Sequence, residues 1–263
     1  MNTLAERPSK LGKASKVERM VAEQDKKVRR RKRSAFEELL RTLRRGLLKL
    51  PGLLSILKVF VKIGILPFRI WKHIRVDCIF TVNASEKAIF RYRTTERDRV
   101  GQYLFWRGLD MWEADTLSVF KDIVADAKVF LDIGANTGAY SLIACAVNQN
   151  CKAVAFEPVP HVHEKLRENI ELNTFKERIQ THQCALSKET GTASFFIPDG
   201  ECPADGTLVD AEDKSQKGSV LEVTVNTVDD LRQKEQWDCV DVVKIDVEGA
   251  EPDVLSGMRK TVE

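Results

Sequence analysis

The stretch VFLDIGANTGAYS, residues 129–141, decides how this chain is read. An apolar run ends at Asp132, two glycines follow at Gly134 and Gly138, and a helix-forming segment, AYSLIACAV, starts at once. Strand, glycine turn and helix form the opening unit of a nucleotide-type α/β sheet. In such sheets the turn lets backbone approach a ligand, which sits at the carboxyl edge of the first strand. Downstream the alternation continues. KAVAFE (152–157) is a strand, HVHEKLRENIELN (161–173) a helix and IQTHQCAL (179–186) a strand; CVDVVKIDVEG (239–249) is another strand, with a helix from about Ala250. Near-continuous apolar strands joined by amphipathic helices imply a mostly parallel sheet covered on both faces. TASFFI (192–197) and LEVTVN (221–226) read as added strands around a polar loop, 198–219. Before the turn, short strands are expected at 76–82 and 88–92, and a helix at 113–124.

Glu157 closes the second core strand, 25 residues after Asp132. A carboxylate there can accept hydrogen bonds from both hydroxyls of an adenosine ribose. A dinucleotide site would want G-x-G-x-x-G, and Asn136 stands where the middle glycine belongs; no G-x-x-x-x-G-K-[ST] occurs either. Asp132 at the strand end would repel a pyrophosphate but suits an ammonium group. S-adenosylmethionine is therefore favoured over NAD.

Composition excludes other classes. With 263 residues, 43% of them hydrophobic, the chain is neither disordered, collagen-like nor a disulfide scaffold. Its six cysteines form no C-x-x-C pair and read as small buried hydrophobes. His73, His161, His163 and His182 read as structural. The net charge of +3 conceals an asymmetry: residues 1–50 hold 16 Lys/Arg against 6 Asp/Glu, the remainder 26 against 33.

The basic end is a polar tail (1–34) closing on KKVRRRKR (26–33), then an amphipathic helix over 35–50, a break at Pro51-Gly52 and a second apolar helix over about 53–65. That second segment falls short of the ~20 residues of a spanning helix. It also carries Lys58 and Lys62, each costing roughly 2.5–3.5 kcal/mol at a bilayer centre. A peripheral contact with an anionic membrane through residues 26–66 is the expectation instead, with the protein in the cytoplasm.

DIGANTGAYS (132–141), AFEPVP (155–160), CALS (184–187) with ETG (189–191), and above all VVKIDVEGAEPDVLSGM (242–258) resemble the FkbM-type S-adenosylmethionine-dependent methyltransferase family. The resemblance covers roughly residues 90–263, and DRVGQYLFWRG (98–108) also resembles the segment that family places before its first strand. It implies a class I methyltransferase (Rossmann-like) parallel sheet and methylation of a hydroxyl on a small molecule or glycan. By position, Asp132, Gly134, Ala135, Asn136, Thr137 and Gly138 would wrap the methionine portion. Glu157 would hold the ribose, Ala185 and Leu186 would lie along the adenine, and Asp246 and Glu248 would stand near the transferable methyl. That family continues with further strands, so this sheet is expected to be truncated at its C-terminus. The basic arm is not part of the family pattern. Residues 1–75 are expected as a basic and helical extension and 76–263 as the methyltransferase domain.

Among the carboxylates of KIDVEGAE, Asp246 is favoured as base or substrate orienter with Glu248 assisting, against a helix-capping role for Asp246. Glu251 reads as a first-turn dipole partner, and Lys244 could face either side. No residues are assigned to a metal. The alternative is a truncated, inactive methyltransferase-like binding module. A nucleic-acid methyltransferase is disfavoured, because the strand-end tetrad Asp246-Val247-Glu248-Gly249 lacks the prolines and aromatic residue of base methylation and the catalytic part is acidic.

Overall fold

The computed structural model of the protein describes residues 52–198, 207–208 and 218–263. The expected tail and the helix over 35–50 lie outside the described residues. The chain divides into two units, residues 1–57 and 58–263. Val61 and Trp71 of the second unit are buried.

Two helices, α1 (Leu53–Lys62) and α2 (Phe68–Trp71), lead into an antiparallel hairpin of β1 (Cys78–Asn83) and β2 (Ile89–Thr94). Gly64, at φ +79°, and Pro67 end the first helix sooner than the apolar run suggests. Next come α3 (Arg99–Arg107) and α4 (Ala114–Val124), and then the alternation read from the sequence. This runs β3 (Val129–Ile133), α5 (Ala139–Val147), β4 (Lys152–Phe156), α6 (Pro160–Glu171) and β5 (Ile179–His182). After these come β6 (Ala185–Leu186), β7 (Gly191–Pro198), β8 (Thr207–Leu208), β9 (Gly218–Asn226), α7 (Val228–Glu235), β10 (Val242–Ile245), α8 (Glu251–Ser256) and α9 (Arg259–Val262).

The core sheet is parallel in the order β10-β3-β4-β5, the α/β class expected. Strand alternation explains its two buried faces. Phe130, with Ala153 and Ala155 of β4, packs with Leu142, Ile143 and Leu166 of α5 and α6 on one face. Leu131 and Ile133 pack with Val228, Leu231, Val254 and Met258 of α7, α8 and the segment after α8 on the other.

IQTHQCAL is not one strand. β5 pairs with β4, whereas β6 pairs with β9 in a second sheet, β6-β9-β7-β8. An unbroken apolar–polar run cannot reveal such a change of partner. Part of the expected loop also pairs: Thr207 and Leu208 lie against Phe196 and Phe195.

The hairpin is tied to the sheet by Asn169 of α6 and by Asn173, two residues past its end. Asn169 Oδ1 accepts from the Arg93 N–H at 2.7 Å, and Asn173 Oδ1 from the Arg91 N–H at 2.7 Å. Asn169 Nδ2 also donates to the Thr137 carbonyl at 3.0 Å, so one side chain joins the hairpin to the glycine turn.

Candidate active site

The glycine turn is built by backbone conformations that side chains resist. Gly134 (φ +76°) and Gly138 (φ +89°) are left-handed; a Cβ on Gly134 would collide with the Asp246 carbonyl, and one on Gly138 with Leu166. Asn136 is also left-handed at φ +50°, a conformation asparagine tolerates, and its Oδ1 accepts from the Thr137 N–H at 2.8 Å. Gly134 and Ala135 donate their N–H groups to the Phe156 carbonyl, at 3.1 and 2.9 Å, which seats the turn against the end of β4.

The turn opens into a cavity of about 310 Å³. Gly134, Ala135, Asn136, Thr137, Glu157, Ala185, Leu186, Asp246 and Glu248, nine of the residues expected at the site, all line it. Gly138 is the hinge between turn and helix and is not in the wall. Asp132 is not in the wall either. It shares the face of β3 that carries Phe130, so its carboxylate points at α5 and is fully buried. Its Oδ2 accepts from the Ser141 N–H at 3.1 Å and from the Ser141 hydroxyl at 2.7 Å. Its Oδ1 makes no hydrogen bond and is answered by the charge of Lys244 Nζ at 3.4 Å. Asp132 thus supports the turn from beneath.

Glu157 sits at the end of β4 with only 6% of its surface exposed. Oε2 accepts from the Asn136 N–H and Oε1 from the Val159 N–H, each at 3.0 Å. Burial pushes its carboxyl up to about 7, outweighing these two bonds and the charge of Lys244.

Lys244 is the centre of the opposite wall. Its ammonium donates to the Gly134 carbonyl at 3.0 Å, lies 3.5 Å from Asp246 Oδ2 and sits 5.1 Å above the Tyr140 ring. The Tyr140 hydroxyl donates to Glu113 Oε2 at 2.6 Å; burial and then that carboxylate push the phenol well above its ordinary range. Asp246 is exposed at the mouth and caps no helix, since the N-cap of α8 is Ala250. Glu251, in the first turn of α8, accepts at Oε1 from the Gly249 and Val247 N–H groups at 3.2 and 3.4 Å.

Sequence reasoning missed Glu113, Tyr140, Arg99, Tyr103 and Phe195 in this wall. Tyr140 carried a usable signal, because a residue in the first turn of the helix after a glycine turn faces the ligand edge. Arg99 and Tyr103 are spaced i, i+4 on α3, whose N-cap Asp98 accepts from the Gly101 N–H at 2.8 Å. Asp98 also meets the Tyr92 hydroxyl, which in turn is hydrogen-bonded to Thr137 Oγ1. Glu113, left-handed at φ +49°, has no local signature. Among the described residues, no three His, Cys, Asp or Glu side chains gather as a metal site.

Residues 132–263 match the model of the methyltransferase FkbM domain. The chain belongs to this methyltransferase family. Methyltransferase 1 of Beauveria bassiana is 30% identical over 151 residues, covering 51% of this chain and 59% of that protein. The hexuronic acid methyltransferase AglP of Haloferax volcanii is 29% identical, covering 60% and 62%. The 2-O-methyltransferase NoeI of Sinorhizobium fredii is 26% identical, covering 56% and 65%. The chain therefore spans about six-tenths of the length of the curated relatives it matches. A crystal structure of an FkbM methyltransferase from Methylobacillus flagellatus aligns over 63% of this chain and 42% of its own, at 16% identity and a TM-score of 0.38.

Proposed function

We propose that the cavity binds S-adenosylmethionine and that the protein transfers its methyl group to a hydroxyl oxygen of a small molecule or glycan. The observation that carries this reading is the buried Glu157 carboxylate at the strand end, locked by two backbone N–H groups beside a left-handed glycine turn. That arrangement matches the needs of an adenosyl cofactor. Glu157 would hold the ribose hydroxyls, while Ala185 and Leu186 offer a buried apolar wall for the adenine. The Gly134–Gly138 turn leaves room for the methionine portion. The names of the Haloferax and Sinorhizobium relatives, a hexuronic acid and a 2-O-methyltransferase, support a hydroxyl-bearing acceptor.

When bound, the cofactor supplies a methyl group already activated on a sulfonium. The chain must align the acceptor and take its proton, because a protonated alcohol oxygen is a weak nucleophile. Asp246 is the group for that task. It is solvent-facing at the cavity mouth, and Lys244 beside it holds its carboxylate against the turn. Glu248, next but one in the chain and on the same wall, assists in orienting the acceptor. Asp246→Asn tests the assignment. Methyl transfer to the acceptor should fall by roughly 10²–10⁴-fold with S-adenosylhomocysteine affinity unchanged. A variant as active as the parent removes Asp246 from the mechanism. A parent that binds the cofactor but methylates no hydroxyl points instead to a binding module.

A further inference from the structure

A second cavity, of about 490 Å³, adjoins α3. Of its eleven lining residues five are basic, four aromatic and one acidic. Trp71 anchors its floor: its ring is 5.1 Å from Phe68 and 5.4 Å from Tyr103, and only 3% of the residue is exposed. Buried Gln102 stiffens the floor further, donating to the Val76 and Thr95 carbonyls at 2.6 and 2.9 Å. Lys72 and Arg97 are exposed at the rim and Arg75 is half-buried. Among the described residues none of these three has a carboxylate partner.

Beside this basic pocket the surface turns apolar. Val59, Ile63, Ile65, Phe68 and Ile70 are each about half exposed or more, within twelve residues of chain. Soluble surfaces carry such large apolar side chains singly rather than in a continuous run. Lys62, Arg69 and Lys72 are interleaved with them, and Phe68 belongs both to the apolar run and to the cavity wall. Cations and exposed apolar side chains interleaved in one short segment suit the boundary between lipid headgroups and acyl chains. A nucleic acid would use the cations but leave the apolar residues in water. The excess of 16 basic over 6 acidic residues in positions 1–50 adds attraction of the same sign. No helix among the described residues is long and apolar enough to cross a membrane, so the contact would lie on the surface.

We propose that this cavity takes the phosphate of an anionic lipid headgroup while the apolar run rests in the bilayer boundary. Arg99 and Tyr103 wall both this cavity and the candidate active site. On the methyltransferase reading, and resting on it, a headgroup held here stands next to the site of methyl transfer, and the acceptor hydroxyl is one presented at a membrane.

The test is co-sedimentation of the full chain with vesicles of phosphatidylcholine alone or mixed with phosphatidylglycerol, with glycerol phosphate as a soluble competitor. The parent should bind the anionic vesicles and not the neutral ones. Lys72→Glu with Arg97→Glu, which leaves the basic arm intact, should weaken that binding by tenfold or more at an unchanged melting temperature. Ile65→Asp, a fully separate and exposed change, should weaken it as well. Variants that bind like the parent would show that the arm alone does the work and overturn the proposal. Equal binding to neutral vesicles would overturn it too, and so would displacement by glycerol phosphate at concentrations comparable to lipid, which would make the ligand a free phosphate ester. A parallel titration with S-adenosylhomocysteine keeps the two readings apart: anionic-vesicle binding without cofactor binding sinks the methyltransferase reading and leaves this one standing.

Discussion

Replacing Glu157 by glutamine keeps the shape of the side chain and removes its charge. Burial raises this carboxyl from an ordinary value near 4.5 to about 7. At roughly 1.4 kcal/mol per pH unit, keeping it ionised above pH 7 costs the fold about 3 kcal/mol. A raised acid of this kind contributes stability that is fully present below about pH 4.5 and lost as the pH rises through 7. Glutamine escapes that penalty. However, its amide NH₂ must face one of the two N–H donors, from Asn136 and Val159, at a cost of about 1–3 kcal/mol. The two effects nearly cancel, so the variant should melt close to the parent at pH 8. Binding should respond very differently. Two charge-assisted bonds to the ribose hydroxyls, each worth about 1.5–3 kcal/mol, disappear. A loss of about 3 kcal/mol is roughly a hundredfold in affinity. Calorimetric titration with S-adenosylhomocysteine, run beside thermal melts, reads both quantities. A variant that melts with the parent and binds with undiminished affinity would refute the ribose role of Glu157.

The same carboxyl sets a pH dependence. Cofactor affinity of the parent should be level above about pH 7 and fall about tenfold per unit below it, while the glutamine variant stays flat; a parent with no such slope removes the ionised carboxylate from the site. Lys244→Met leaves the Asp132 charge buried without its counter-ion, a change expected to cost about 3–5 kcal/mol in chemical denaturation. A loss under about 1 kcal/mol would show that the Lys244–Asp132 pair does not hold the fold. Asn169→Ala frees the Arg93 N–H and the Thr137 carbonyl together, for about 2–3 kcal/mol. Unaltered stability would show that the hairpin is not clamped through α6.

The sheet was legible because its strands are buried on both sides and read as unbroken apolar runs. Phe130, Leu131 and Ile133, all but fully buried, are typical. The same continuity hid the break within 179–186, where β5 and β6 choose partners from different sheets with only Gln183 and Cys184 between them. Glu157 could be found from its place at a strand end, since position alone brings that side chain to the ligand edge. Asp132 could not be placed in the same way. Its period-2 alternation with Phe130 turns it towards Ser141 and Lys244, which are nine residues and over a hundred residues away in sequence. The contact of Glu113 with Tyr140 spans 27 residues and depends on how α4 packs against α5. Such contacts follow from the finished fold and leave no local periodicity behind.

Titrating the folded chain with S-adenosylmethionine in a calorimeter probes the adenosyl site without any knowledge of the acceptor. Micromolar binding at a single site, displaced by S-adenosylhomocysteine and weakened by Glu157→Gln, is the predicted result. A sample with a cooperative melting transition that takes up neither ligand would contradict it.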